Sequence, residues 1–188
     1  MSERARFEAE MVPLMGHVHR LGLRLTRRAE DAADLVQETM LRAYRGFHGF
    51  VPGTNRRAWL LKIAYSAFVD RWHQDRREPA LLAVDELERR FEEAVGREDS
   101  DQMLAAVADR GGQRIGAEVD GALRQLPEPF RSAVVLVDLE DLTYEEAATV
   151  VDCPVGTLRS RLFRGRKQLF VLLEAYARDR GLLKRGMP

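Results

Sequence analysis

The chain has 188 residues, 45% of them hydrophobic and 32% charged, with 30 Lys+Arg against 30 Asp+Glu; this is the make-up of one ordinary folded domain or two small ones and excludes a disordered tail. No run reaches the roughly 18 apolar residues of a spanning helix, and Met1-Ser-Glu-Arg-Ala-Arg-Phe-Glu8 lacks the apolar core of a signal peptide, so no membrane insertion is expected. Cys153 stands alone, which excludes an intrachain disulfide and a cysteine-based zinc cluster and points to a cytoplasmic, reducing location.

Helical periodicity runs through most of the chain and strand alternation is almost absent, so the expected class is all-α. Leu14, Val18, Leu21 and Leu25 recur every three or four residues and mark one face of a first helix. A second is predicted from about Ala29 to Tyr44, with Ala32, Leu35, Val36, Met40 and Ala43 inward. A third runs from about Asn55 to Gln74 on a stripe of Trp59, Ile63, Ala67 and Phe68. Between these two lies Phe47-His-Gly-Phe-Val-Pro-Gly-Thr54, whose Gly and Pro residues break the helix and whose Thr54 is the expected N-cap.

Residues 78–118 read as an acidic linker. Val84, Leu87, Phe91 and Val95 can form one short amphipathic helix and Met103, Leu104 and Val107 another, but neither is apolar enough for a core. Helical patterning resumes near Val119 and is broken at Pro127, Asp141 and Pro154. The expected division is a helical domain over 1–77, the linker 78–118, a second helical domain over 119–178 and a tail 179–188. The zero net charge conceals a pattern on the same scale. Residues 1–77 carry 14 basic and 9 acidic side chains, residues 78–126 carry 6 and 12, and the chain from Pro154 onward carries 9 and 2. Two basic blocks therefore flank an acidic middle, a pattern that the overall charge balance hides.

The most informative segment runs from Leu142 to Lys167. Thr143 followed by Glu146 is a capping box that opens a short helix through Val151. Asp152-Cys153 makes a break, and Pro154 suits the start of the next helix. Two helices across so tight a turn form a helix-turn-helix. On the second helix Val155, Leu158, Leu162 and Leu169 fall on one side, the core side. Gly156, Ser160, Phe163, Arg164 and Lys167 collect opposite, flanked by Arg159 and Arg161. An aromatic ring opposite the apolar stripe is not explained by packing on that stripe, whereas it suits a surface that meets base edges. A solvated basic helix is the bland alternative, which the capped helix and turn before it disfavour. Cys153, in the turn, is expected to be a small buried residue.

Two blocks resemble the extracytoplasmic-function sigma factors of bacterial RNA polymerase, within the sigma-70 family. One is Thr26-Arg-Arg-Ala-Glu-Asp-Ala-Ala-Asp-Leu-Val-Gln-Glu-Thr-Met-Leu-Arg-Ala-Tyr44, continued by Phe50 to Ala64; the other is Leu126-Pro-Glu-Pro-Phe-Arg131 together with Leu142 to Lys167. Their order and spacing match the family's regions 2 and 4. The resemblance implies two small helical domains, a region 2 bundle and a region 4 helix-turn-helix, and a chain that binds core polymerase through the β′ clamp helices and β subunit, recognises promoter DNA and helps to open it. It implies a docking surface at Asp34, Gln37, Glu38 and Arg42. It implies −10 contacts at Phe50, Thr54, Asn55, Arg56, Arg57, Lys62, Ser66 and Arg71, and −35 contacts at Arg159, Ser160, Arg161, Phe163, Arg164 and Lys167. Ser66 departs from the asparagine usual there and is shorter, which alters any −10 contact at that point. An anti-sigma protein is an implied partner.

His17, His19, His48 and His73 are scattered, and no Walker loop, nucleophile motif or metal-ligand set appears. No catalytic activity, metal or other cofactor is therefore expected. A conventional helix-turn-helix regulator acting without polymerase is the nearest alternative. It accounts for residues 142–167 and leaves the block 26–64 unexplained.

Overall fold

The computed structural model describes residues 2–26, 28–73 and 117–179. The expected linker helices around 84–95 and 103–107, and the end of the tail, lie outside the described residues. In chain order the described helices are α1 (Glu3–Met11), α2 (Met15–Thr26), α3 (Ala29–Gly46), α4 (Arg56–Phe68), α5 (Ala117–Gln125), α6 (Glu128–Val134), α7 (Tyr144–Val150) and α8 (Val155–Asp179). Among the described residues there is no strand, in keeping with the all-α class. Two compact units divide the chain, Met1–Arg77 with Leu142–Val155 and Glu78–Asp141 with Gly156–Pro188. The segment holding α7 thus groups with the first unit, whereas sequence spacing had placed it within 119–178.

In the first unit α2, α3 and α4 pack on one another and α1 and α7 lie against α4. Val18, Leu21 and Leu25 of α2 are buried, as are Ala32, Leu35, Val36 and Ala43 of α3. The expected stripes shift in detail. Leu14 is only half-buried, because Pro13 turns the chain through a 3-10 segment, Val12–Leu14, before α2 begins. Met40 is likewise half-buried, and Thr39 fills the core position beside it. On α4 the buried residues are Leu60, Leu61, Ala64, Ala67 and Phe68, while Trp59 and Ile63 are half-exposed. Neighbours on several sides of α4 widen its buried arc beyond a single 3.6-residue stripe. Gly22 lets α2 approach α3, since a Cβ there would lie 3.2 Å from Ala32 Cα.

The loop between α3 and α4 is anchored by rings. Phe7 meets Tyr44 and Phe47 edge-on at 5.2 and 5.3 Å, Phe47 stacks on Phe50 at 5.9 Å, and Phe50 lies 5.1 Å from Trp59. These spacings are those of favourable aromatic pairs. Beyond it α4 starts one residue later than expected: Asn55, not Thr54, is the N-cap, its Oδ1 accepting from the Arg57 and Ala58 amides at 3.1 and 3.2 Å. Thr54 instead donates its hydroxyl to the Val51 carbonyl at 2.7 Å and closes the loop. The helix predicted to reach Gln74 ends as α-helix at Phe68 and continues as a π turn, Val69–His73.

In the second unit the break at Leu126-Pro127 separates α5 from α6, and Pro127 occupies the α6 N-cap. Buried Arg131 reaches back to the Leu126 carbonyl at 3.0 Å and ties the break to the helix. A π turn, Val135–Leu139, follows α6 and closes with the Glu140 amide on the Val135 carbonyl at 2.9 Å. On α8, Leu158, Leu162, Leu169, Phe170 and Leu173 are buried. Gly165 sits where a Cβ would meet Val134 Cγ2 at 2.8 Å and the Phe130 carbonyl oxygen at 2.9 Å, so α8 approaches α6 as closely as a backbone allows.

Candidate nucleic-acid interface

Helix α7, the turn Val151–Pro154 and α8 follow one another as the sequence predicts. Thr143 Oγ1 accepts from the Glu146 amide at 3.2 Å while Glu146 Oε2 accepts from the Thr143 amide at 3.0 Å, completing the capping box. The same contacts, led by the Thr143 amide and joined by Asn55 and the charge of Arg57, hold the Glu146 carboxyl below the usual glutamate range. Two aspartates mark the segment's ends with left-handed backbone, Asp141 at φ 49° and Asp152 at φ 51°, a conformation that a short polar side chain tolerates better than most. The Cys153 amide donates to the Ala148 carbonyl at 3.1 Å and fixes the turn. Cys153 itself is half-exposed rather than buried, because the turn swings it outward instead of onto a helix face.

The outer face of α8 is built as the wheel predicts. Phe163 is 65% exposed, the highest value among the large hydrophobic residues described. Gly156, Ser160 and Arg164 are exposed around it, as is the flanking Arg159, while Arg161 on the other flank and Lys167 within the face are half-exposed. Val155, expected in the core, is half-exposed because it occupies the first helical position, at the mouth of the turn. Ser160 donates its hydroxyl to the Thr157 carbonyl at 2.9 Å, leaving its oxygen as an acceptor. The face therefore offers guanidinium donors, one hydroxyl acceptor and one apolar ring, the mixture that base edges in a major groove require.

The −10 candidates separate. Phe50, one of the expected −10 contacts, is only 4% exposed, within the ring cluster, where it stacks on Phe47 and lies tilted against Trp59. The loop tip instead presents Val51, 62% exposed, beside Gly53 at φ 89°. Nothing in the sequence distinguished Val51 from its apolar neighbour Phe50. Thr54, Asn55 and Arg56 are exposed around the start of α4, and Arg57 is half-exposed. Lys62 and Ser66 are exposed one turn apart farther along it. Asn55 is already engaged, donating Nδ2 to Glu146 Oε1 at 2.7 Å.

The docking candidates lie on α3, where Asp34 and Gln37 are exposed and Glu38 and Arg42 half-exposed. Arg42 Nε donates to Glu38 at 2.7 Å and Nη1 donates to Asp70 in the π turn beyond α4, and these two carboxylates, Asp70 first, hold the guanidinium more firmly protonated than usual. Arg71 donates to Asp34 at 3.0 Å, so one −10 candidate and one docking candidate are paired with each other. Leu41 and Tyr44 are exposed on the same helix, as is Asp70 on the π turn, and all three escaped the sequence reading. Leu41 lay within reach of it, being spaced three and four residues from Glu38 and Gln37.

Among the described residues no group of three His, Cys, Asp or Glu is arranged to hold a metal ion, and no helix is long and apolar enough to cross a membrane. Comparison with known proteins matches residues 13–78 to sigma-70 region 2 and residues 117–169 to sigma-70 region 4. The chain is 35% identical over 152 residues to the ECF RNA polymerase sigma factor SigE of Mycolicibacterium smegmatis, a match covering 81% of this chain and 55% of that one. It is 35% identical to the ECF RNA polymerase sigma factor EcfG of Rhodopseudomonas palustris, covering 79% and 75%. It is 34% identical to the RNA polymerase sigma-H factor of Pseudomonas aeruginosa, covering 85% and 82%. Among solved structures it resembles the sigma factor RpoE from Bartonella quintana, crystallised with the anti-sigma factor NepR, at a TM-score of 0.66 and 23% identity over 90% of this chain and 97% of that one; this likeness concerns the fold.

Proposed function

The chain belongs to the extracytoplasmic-function group of the sigma-70 family, and we propose that it is a promoter-recognition subunit that directs core RNA polymerase to specific promoters and assists DNA opening, without catalysing a reaction itself. The observation that carries this is the exposed Arg159, Ser160, Phe163 and Arg164 face of α8 in a chain that also matches sigma-70 region 2 over residues 13–78. In this reading α8 lies in the major groove of the −35 element, with Arg159 and Arg164 addressing base edges, Phe163 meeting a thymine methyl and Arg161 and Lys167 reaching phosphates.

Region 2 supplies the other two tasks. Val51, Thr54, Asn55, Arg56 and Arg57 form the polar and cationic rim, with Lys62, Ser66 and Arg71 beyond it, along which an opened −10 strand runs. Phe50 supports that rim from the core. Asp34, Gln37, Glu38 and Arg42 face the β′ clamp helices, and the exposed Leu41 adds an apolar anchor among them. The division into a docking and −10 domain over 1–77, an acidic linker over 78–118 and a −35 domain over 119–178 belongs to the same proposal, as do a cytoplasmic location and an anti-sigma protein as partner.

Transcription with purified core polymerase tests it. The expected result is promoter-specific initiation that depends on this chain and on both the −10 and −35 elements. Tight, sequence-specific binding to duplex DNA by the chain alone, with no effect on initiation, would instead identify a conventional helix-turn-helix regulator.

A further inference from the structure

Arg166 stands within the basic run of α8, yet it does not belong to the outward face. It follows Arg164 by two residues, or about 200° around the helix, and falls close to the buried Leu162. Its guanidinium grips a carboxylate: Nε donates to Asp138 Oδ2 at 3.1 Å and Nη2 to Asp138 Oδ1 at 2.6 Å. This is a two-point clamp, and both side chains are mostly covered, at 30% and 16% exposure. Asp138 lies in the π turn Val135–Leu139, so the wider winding of that turn sets where the carboxylate stands, and such turns recur at functional positions. One residue before the clamp, Gly165 fixes the separation of α8 from α6. Close contact at a glycine sets a distance but leaves a helix free to roll about its axis. A bidentate bond at the next residue opposes that roll, because both N–H···O bonds hold only in one plane.

We propose that Asp138 and Arg166 are the positioning pair of the recognition helix, fixing its rotation so that Arg159, Ser160, Phe163 and Arg164 meet their bases in register. This rests on the assignment of α8 to the −35 element. Atoms about 6 Å from the axis shift by about 2 Å for a roll of about 20°, which is enough to break a bidentate guanidinium–guanine contact. Phosphate contacts, made by long side chains to a continuous backbone, tolerate the same roll. The pair thus governs discrimination between sequences more than overall affinity.

The test is transcription by holoenzyme on a promoter library randomised at −35, together with holoenzyme binding to one promoter at graded salt. It compares the wild type with Asp138→Asn, Arg166→Lys and the exchanged pair Asp138→Arg with Arg166→Asp. Circular dichroism and thermal melting confirm that each variant is folded at the assay temperature. A wild type that prefers its best −35 element about tenfold over a single mismatch is expected to fall to about two- to threefold in either single variant. The slope of log affinity against log salt should stay unchanged, and the exchanged pair should recover at least half of the lost preference. A slope shallower by about one in the exchanged pair, where position 166 no longer carries a cation, would make Arg166 a direct phosphate contact and overturn the proposal. So would an equal loss at every sequence, full preference in both single variants, or no recovery in the exchange. A wild-type holoenzyme indifferent to −35 sequence would overturn the −35 assignment itself, a failure visible before any variant is made, and the pair's role would fall with it.

Discussion

Phe163 and Gly165 stand two residues apart on one helix and answer to opposite demands. Phe163 is exposed and its removal takes nothing from the core, so Phe163→Ala should change stability by no more than about 0.5 kcal/mol. It should weaken transcription from −35 elements that carry a thymine beneath the ring, measured across promoters with and without it. Gly165→Ala gains roughly 1 kcal/mol of helix propensity but drives a methyl against Val134 and the Phe130 carbonyl, an overpacking that costs about 1–3 kcal/mol. Net destabilisation is expected, and thermal melting measures it. Arg164→Ala should relax base preference at one or two −35 positions, whereas Arg161→Ala, on the half-exposed flank, should weaken all −35 sequences about equally and flatten the salt dependence. The wheel made this division legible from sequence alone. It did not reveal Arg166, because charge and periodicity show the side from which a residue projects but not the partner it finds in another element.

At the scale of the element, caps were legible wherever their grammar is unambiguous. Thr143 and Glu146, three apart before an apolar run, form the capping box the sequence announces. Thr54 and Asn55 are adjacent and both competent to cap, and only the loop geometry, which spends the Thr54 hydroxyl on Val51, selects Asn55. The two π turns had no signature, since a wider turn alters hydrogen bonding without altering composition. Glu146 gives the box a pH dependence. Its carboxyl is held below the usual glutamate range, so its contribution to stability is complete above that range and fades as the pH falls through its lowered value. Wild type and Glu146→Gln should therefore differ in thermal midpoint near neutral pH by the equivalent of at most about 1 kcal/mol and converge in acid.

At the scale of the molecule, the pairing of a region 2 block with a region 4 block was readable from motif order, and the family match bears it out. The grouping of α7 with the first unit was not, because a bond between residues 91 apart, Asn55 to Glu146, leaves no local trace. The proposed docking surface carries a similar hidden layer, in which Asp34 is paired with Arg71 and Arg42 with both Glu38 and Asp70. A lysine at position 34 or 38 would therefore face an arginine within the chain as well as the polymerase. The neutral pair Asp34→Asn with Glu38→Gln is the cleaner probe. It should weaken core-polymerase association about tenfold or more in a pull-down titration while leaving helical content unchanged, since exposed ion pairs contribute about 0–1 kcal/mol each to folding.

The Asn55–Glu146 bond also bears on how the chain meets nucleic acid when it is alone. Glu146 places a carboxylate beside Asn55 and is itself held ionised in part by the charge of Arg57, so this part of the proposed −10 rim carries its own counter-anion. A single strand arriving there must displace that anion, and it releases fewer bound salt ions than the cationic rim alone would allow. Glu146→Gln should accordingly let the free chain hold a single-stranded −10 oligonucleotide more tightly, with a salt slope steeper by about 0.7 for each phosphate gained. In the proposed function the internal carboxylate thus sets a threshold in the unbound chain, so that the rim would answer to a correctly presented strand and not to polyanions at large.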